Sequence, residues 1–148
     1  MKQLALFLDS FDIDIKYYSQ GQANVTFNLN GGMPYSFRLR KVNKSFEALT
    51  EWLKDISRYS DNSARKVSIN DEELTVFLIC SYIGINDEEG NRIGEFIVGD
   101  SWDGDDFSFV APINTVVRNI YHKMIQYVCD YPEEFRTTYL GHIWDNSI

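Results

Sequence analysis

Tyr35-Ser36-Phe37-Arg38-Leu39-Arg40 and, a few residues on, Phe46-Glu47-Ala48-Leu49-Thr50-Glu51-Trp52-Leu53-Lys54-Asp55-Ile56 differ in hydrophobic period. In the first stretch Tyr35, Phe37 and Leu39 alternate with Ser36, Arg38 and Arg40, the period of two of a strand with one wet face. In the second, Phe46, Leu49, Trp52, Leu53 and Ile56 fall at i, i+3, i+6, i+7 and i+10, one stripe of a helix. A half-buried strand running straight into an amphipathic helix predicts an α+β fold.

Upstream the alternation repeats. Phe11, Ile13, Ile15 and Tyr17 alternate with Asp12, Asp14 and Lys16, and Val25, Phe27 and Leu29 with Asn24, Thr26, Asn28 and Asn30. Asn30-Gly31-Gly32-Met33-Pro34 separates the second strand from the third, with residues that tolerate the positive φ of a tight hairpin. Residues 11–40 are therefore expected to form an antiparallel meander. Asn43 or Ser45 is placed to cap the helix, with Glu47 and Glu51 early and Arg58 in the last turn, as the helix dipole prefers.

Downstream, residues 60–66 are polar and read as a connector. Leu74–Ile83 is almost continuously apolar, as in a strand buried on both faces. Asn86–Asn91 reads as a turn, and Ile93–Val98 and Phe107–Val110 as strands flanking Gly99–Asp106. A second helix is expected after Pro112 and Asn114, with the stripe Val117, Ile120, Tyr121, Met124 and Val128. Pro132-Glu133-Glu134 has the form of a third helix start, and Gly141 would end that short helix. The expectation is one α+β domain over residues 1–148: an antiparallel sheet of six to seven strands, helices near 45–58 and 113–129, and a short C-terminal helix. Residues 11–59 and 67–129 share a grammar of strands followed by a helix. Ordinary strand–helix alternation explains this more simply than duplication does.

Hydrophobic residues make up 44% and aromatic residues 15% of the 148, far too many for a disordered chain and enough for a core without staples. No apolar window of about 20 residues is present, so no membrane span is expected. The short run at Met1–Asp9 reads as a strand rather than a leader. Cys80 and Cys129 sit in apolar settings and read as two buried thiols of a cytoplasmic protein. A pI near 4.7 argues against direct binding of nucleic acid.

The charge is unevenly placed. Residues 71–106 hold eleven acids and one base, a net −10, whereas residues 16–66 hold nine bases and four acids, a net +5. If the strands after residue 74 are successive and antiparallel, Asp71, Glu72 and Glu73 share one end of the sheet with Asp100, Asp103, Asp105 and Asp106. Asp87, Glu88 and Glu89 then lie at the other end. Seven like charges repel unless a cationic partner offsets them, and such an edge raises that partner's on-rate by about 10–10³-fold. Trp102, set among these acids, is the residue type that anchors interfaces. Its alternative role is core packing beside the hairpin.

Signatures of catalysis are missing: no phosphate loop, no Cys-x-x-Cys, no His-Glu-x-x-His, no Gly-x-Ser-x-Gly. His122 and His142 read as a solvated and a tail-packing histidine. The four aspartates of residues 100–106 resemble a calcium loop in density but not in spacing, and Asp103-Gly104 is a hairpin-turn signal, so neither metal nor cofactor is expected. Arg38, Arg40, Lys41 and Lys44 read as a solvated face.

The order of elements resembles that of bacterial toxin-immunity domains. The stretches that carry the resemblance are Phe46–Leu53, Ile69-Asn70-Asp71-Glu72-Glu73-Leu74 leading into a strand, and Ile113–Tyr121 in the late helix, over residues 24–128. The resemblance is one of layout and transfers no functional residues. It implies an intracellular bacterial binding protein; the acidic edge and the missing catalytic signatures add the expectation of an inhibitor, not an enzyme, that neutralises a basic partner such as a toxin. Two alternatives stand beside it. One is a structural subunit that self-associates, as in a homodimer. The other is a carboxylate- or metal-dependent enzyme built on Asp100, Asp103, Asp105 and Asp106.

Overall fold

The computed structural model of the protein describes residues 11–29, 34–58, 63–70, 75–100 and 107–135. The expected meander is present. Strands β1 (Phe11–Ser19), β2 (Gln22–Leu29) and β3 (Tyr35–Leu39) form an antiparallel sheet in the order β1-β2-β3. Ile13 pairs with Phe27 and Val25 with Phe37, so these side chains share the buried face, while Asp12 and Lys16 lie exposed on the other. The β1–β2 connection turns at Gly21, whose φ of 76° suits a residue without a Cβ.

Helix α1 (Val42–Arg58) buries Phe46, Leu49, Trp52, Leu53 and Ile56, the predicted stripe. It begins earlier than expected, so Asn43 and Ser45 lie inside the helix rather than at its cap, and no acid falls in the first turn. The cap comes from elsewhere in the fold: the Val42 amide donates to the Gly21 carbonyl at 3.0 Å. A tertiary acceptor thus replaces a local side chain at the helix start.

Four further strands follow: β4 (Arg65–Asn70), β5 (Thr75–Asn86), β6 (Arg92–Asp100) and β7 (Phe107–Pro112). They form a second antiparallel sheet in the order β4-β5-β6-β7. The single sheet expected from sequence is therefore two, of three and four strands among the described residues. The sheets meet through side chains: Phe11 stacks on Phe109 with centroids 4.7 Å apart, and Phe27 lies 6.4 Å from Phe107. Strand β4 takes in the end of the expected connector. Its alternation rests on Val67 and Ile69 alone, too little apolar signal to separate it from a polar loop.

Strand β5 is not buried on both faces. Val76, Leu78 and Cys80 are buried, whereas Phe77, Ile79 and Ser81 are half-buried. Helix α1 lies against β4, and α2 (Ile113–Asp130) against β1, α1, β6 and β7. Only alternate residues of the apolar run join this helix-covered core. Helix α2 buries Val116, Val117, Ile120, Tyr121, Met124 and Tyr127, while Val128 is half-buried. Its first residue, Ile113, lies over β6 where Gly94 leaves room. A Cβ at Gly94 would stand 2.7 Å from Ile113 Cγ1 and 3.3 Å from Cys80 Sγ.

In place of a short C-terminal helix there is a single 3-10 turn, Pro132–Phe135. It seats Phe135 against Phe46, with centroids 5.1 Å apart. It is tied to the first hairpin by Glu134, whose Oε2 accepts from the Gly21 amide at 2.9 Å. One cluster of buried side chains draws on both sheets and both helices. Cys80 is buried within it, but Cys129 is exposed, contrary to expectation, one position past the half-buried Val128. Among the described residues no helix is long and apolar enough to cross a membrane.

Candidate functional site

The register of the four-stranded sheet fixes where its connections leave. Asn70 pairs with Thr75, Val76 with Asp100, and Val98 with Phe107. The described ends flanking residues 71–74 and 101–106 therefore share one end of the sheet. The turn at Asp87–Gly90, between β5 and β6, lies at the other, as antiparallel order requires. Of the sequence-derived partner-binding residues, Asp71, Glu72, Glu73, Trp102, Asp103, Asp105 and Asp106 lie outside the described residues, as does His142.

Asp100 is described. It is half-buried at the last position of β6, and its Oδ2 accepts from the Tyr35 hydroxyl at 2.9 Å. The carboxylate thereby links the two sheets, a structural duty that charge counting did not reveal. At the opposite end Asp87 is equally occupied. Its Oδ1 accepts from the amides of Glu89 at 2.9 Å and Asn91 at 2.8 Å, and Gly90 completes the turn with φ 87°. The Asn91 amide, foremost among several donors, holds the Asp87 carboxyl below its ordinary range.

Arg92, the one base in the acidic segment, reaches helix α1. Its guanidinium donates to the carbonyls of Ile56 at 2.9 Å and Ser57 at 3.3 Å, at the C-terminus of α1 where the helix dipole favours a cation. The basic segment is partly engaged as well. Arg38 Nε donates to Asn24 Oδ1 at 3.0 Å, and its guanidinium lies 3.5 Å from the centroid of Tyr18. Lys41, Lys44 and His122 are exposed.

Two surface grooves were not foreseen. One, of 560 Å³, runs between α1 and β4 with Trp52 in its lining. Trp52 is buried with the predicted stripe, and its indole Nε1 also donates to the Arg65 carbonyl at 3.0 Å. The other groove, of 450 Å³, lies between β1 and the end of α2, beside a file of rings in which Tyr131 stands 4.7 Å from both Tyr17 and Tyr127. Tyr127 is 3% exposed, and its hydroxyl makes no hydrogen bond of good geometry among the described residues, although the Glu134 carboxylate is close enough to act on it. Burial, with the Glu134 carboxylate next, pushes its phenol well above the ordinary range. Among the described residues no three His, Cys, Asp or Glu side chains converge as metal ligands.

Compared with family models, curated proteins and solved structures, the chain matches none.

Proposed function

We propose that the protein is a small acidic binding protein that neutralises a basic partner, such as a toxin, in the manner of an immunity protein. Asp71, Glu72, Glu73, Asp100, Asp103, Asp105 and Asp106 supply the field, and Trp102 the apolar anchor. The observation that carries this reading is the shared end of the sheet from which residues 71–74 and 101–106 depart. Six of those seven acids belong to these two connections, and the seventh, Asp100, stands where one of them begins. A concentrated negative end draws a basic surface in diffusion and competes for charge that phosphate would otherwise satisfy.

The test starts from affinity capture of the tagged protein in its own cell lysate, eluted by rising salt. The eluted basic protein is then measured against an Asp103→Lys, Asp105→Lys, Asp106→Lys variant. The variant's association rate is expected to fall by about tenfold or more, with a smaller change in dissociation. Equal association rates would remove this end of the sheet from the interface.

A further inference from the structure

Residues Leu74–Ile83 have the composition of a strand covered on both faces, but only one face of β5 joins the core that the helices line, through Val76, Leu78 and Cys80. On the other face the register sets Phe77 beside Gly99, Ile79 beside Ile97, and Val110 beside Glu95. Phe77, Ile79, Ile97 and Val110 are half-buried, and none of them belongs to the core cluster. Ile83, farther along β5, is 37% exposed. A run of apolar side chains on the outer face of a sheet marks an interaction surface.

The charges on this face identify what covers it. Lys66 of β4, paired with Ile79, stands at one flank, and Glu95 of β6, paired with Ser81, stands diagonally across the patch. Both are exposed, and neither has an opposite charge within ion-pair distance among the described residues. The Lys66 ammonium rests instead on the patch, 5.5 Å from the centre of the Phe77 ring. Ser68, Ser81 and Ser108, the polar neighbours in register, carry no charge. One unpaired cation and one unpaired anion on the same face suit a two-fold axis, because each meets its opposite in a second copy. Neighbouring strands stand about 4.8 Å apart, and successive side chains of one face about 6.8 Å apart. On that grid the axis that lays Lys66 over Glu95 of a second copy passes between Ile79 and Ser81. The same axis lays Ile97 on Ile79 of the second copy and Phe77 on its Ser108. It crosses the strands of the two sheets at about 70°, near the orthogonal mode of sheet packing.

We propose that the outer face of the four-stranded sheet is the interface of a homodimer, in which Phe77, Ile79, Ile97 and Val110 of two copies pack sheet on sheet and two Lys66–Glu95 ion pairs fix the orientation. The proposal stands on this face alone and does not depend on the role of the acidic end of the sheet. Burial of the apolar side chains gives the affinity, and the ion pairs select one crossing of the sheets over others.

The full chain would be followed by sedimentation equilibrium over a concentration series, where a mass that rises to that of two chains is expected. Ile79→Asp should give a monomer with an unchanged far-ultraviolet circular dichroism spectrum, since Ile79 lies outside the core cluster. Lys66→Glu and Glu95→Lys should each weaken the dimer by about tenfold or more, because each sets like charges face to face at both pairs. An equal mixture of these two variants restores both ion pairs and should dimerise as tightly as the wild type, and so should the doubly reversed chain. Should Ile79→Asp misfold, the charge variants, both at exposed side chains, carry the test by themselves. The mass of one chain throughout the series would overturn the proposal, as would a dimer that Ile79→Asp leaves intact. A mixture of the charge variants that dimerises no better than either alone would overturn the pairing of Lys66 with Glu95. A wild-type monomer whose melting temperature Ile79→Asp lowers would assign the cover of this face to the chain itself, and the dimer would be refuted.

Discussion

Gly94→Ala is the substitution on which the packing of α2 against the second sheet can be judged. Gly94 lies in β6, paired with Ala111 of β7, with Ile113 above it. An added Cβ would stand 2.7 Å from Ile113 Cγ1, 3.1 Å from Ile113 Cδ1 and 3.3 Å from Cys80 Sγ. Ile113 and Cys80 are fully buried, so neither side chain can swing into solvent to give way. Inserting a methyl group into such a site costs about 1–3 kcal/mol. The lost flexibility of the unfolded chain returns about 0.4–1 kcal/mol. A net loss of about 1–2 kcal/mol is expected, read by urea unfolding as a lower midpoint at unchanged slope. The close atom is Cγ1, which valine retains, so Ile113→Ala is the informative partner in a double-mutant cycle. The pair should be less damaging together than the sum of the single changes, by at least about 0.5 kcal/mol. A Gly94→Ala protein as stable as the wild type, or strict additivity, would refute the contact.

Three other outcomes follow from side chains described above. Tyr127→Phe should leave stability unchanged or raise it by about 1 kcal/mol, because the deleted hydroxyl makes no hydrogen bond of good geometry among the described residues; a clear loss in thermal melting would mean that the hydroxyl is bonded, with Glu134 the first candidate. A thiol reagent should label Cys129 rapidly and Cys80 only on unfolding; burial also raises the Cys80 thiol from 9.0 to about 12, so its contribution to stability is whole below pH 9 and lost as the pH climbs towards 12, and a Cys80→Ala chain should show a flatter alkaline limb in its melting profile. The Asp87 carboxyl is lowered instead, so its contribution is present above its ordinary value of 3.8 and lost as the pH falls through its folded value; melting temperatures between pH 5 and pH 2 should vary less in Asp87→Ala than in the wild type.

What the sequence revealed depended on how local the cause was. Alternation in residues 11–17 and 35–40, and the stripe from Phe46 to Ile56, are local, and the strands and helix appeared where they were read. The continuous apolar run of β5 carried no information about which side the helices cover, so two-sided burial was inferred where one face is only half-buried. The start of α1 was misread because its acceptor, the Gly21 carbonyl, belongs to another element. The common end of the acidic connections was legible, since antiparallel order fixes it. The grip of Asp100 on Tyr35, 65 residues away, was not. Nor was the groove beside β4, which depends on how α1 sits against one edge of the sheet.

Gly21 uses both of its backbone groups to join parts of the chain that are far apart: its carbonyl serves the first amide of α1, and its amide binds Glu134, 113 residues on. The second of these ties closes nearly the largest loop that the described chain permits, and contacts of such separation form late because the chain entropy they consume is recovered only when the rest of the fold is in place. A chain that stops short of residue 134 lacks this clasp, whatever else of the fold it can form. Exchange of the Gly21 amide therefore serves as a clock for the completion of folding: in pulse-labelled refolding it should gain protection after the amides of β2, which need only β1 and β3.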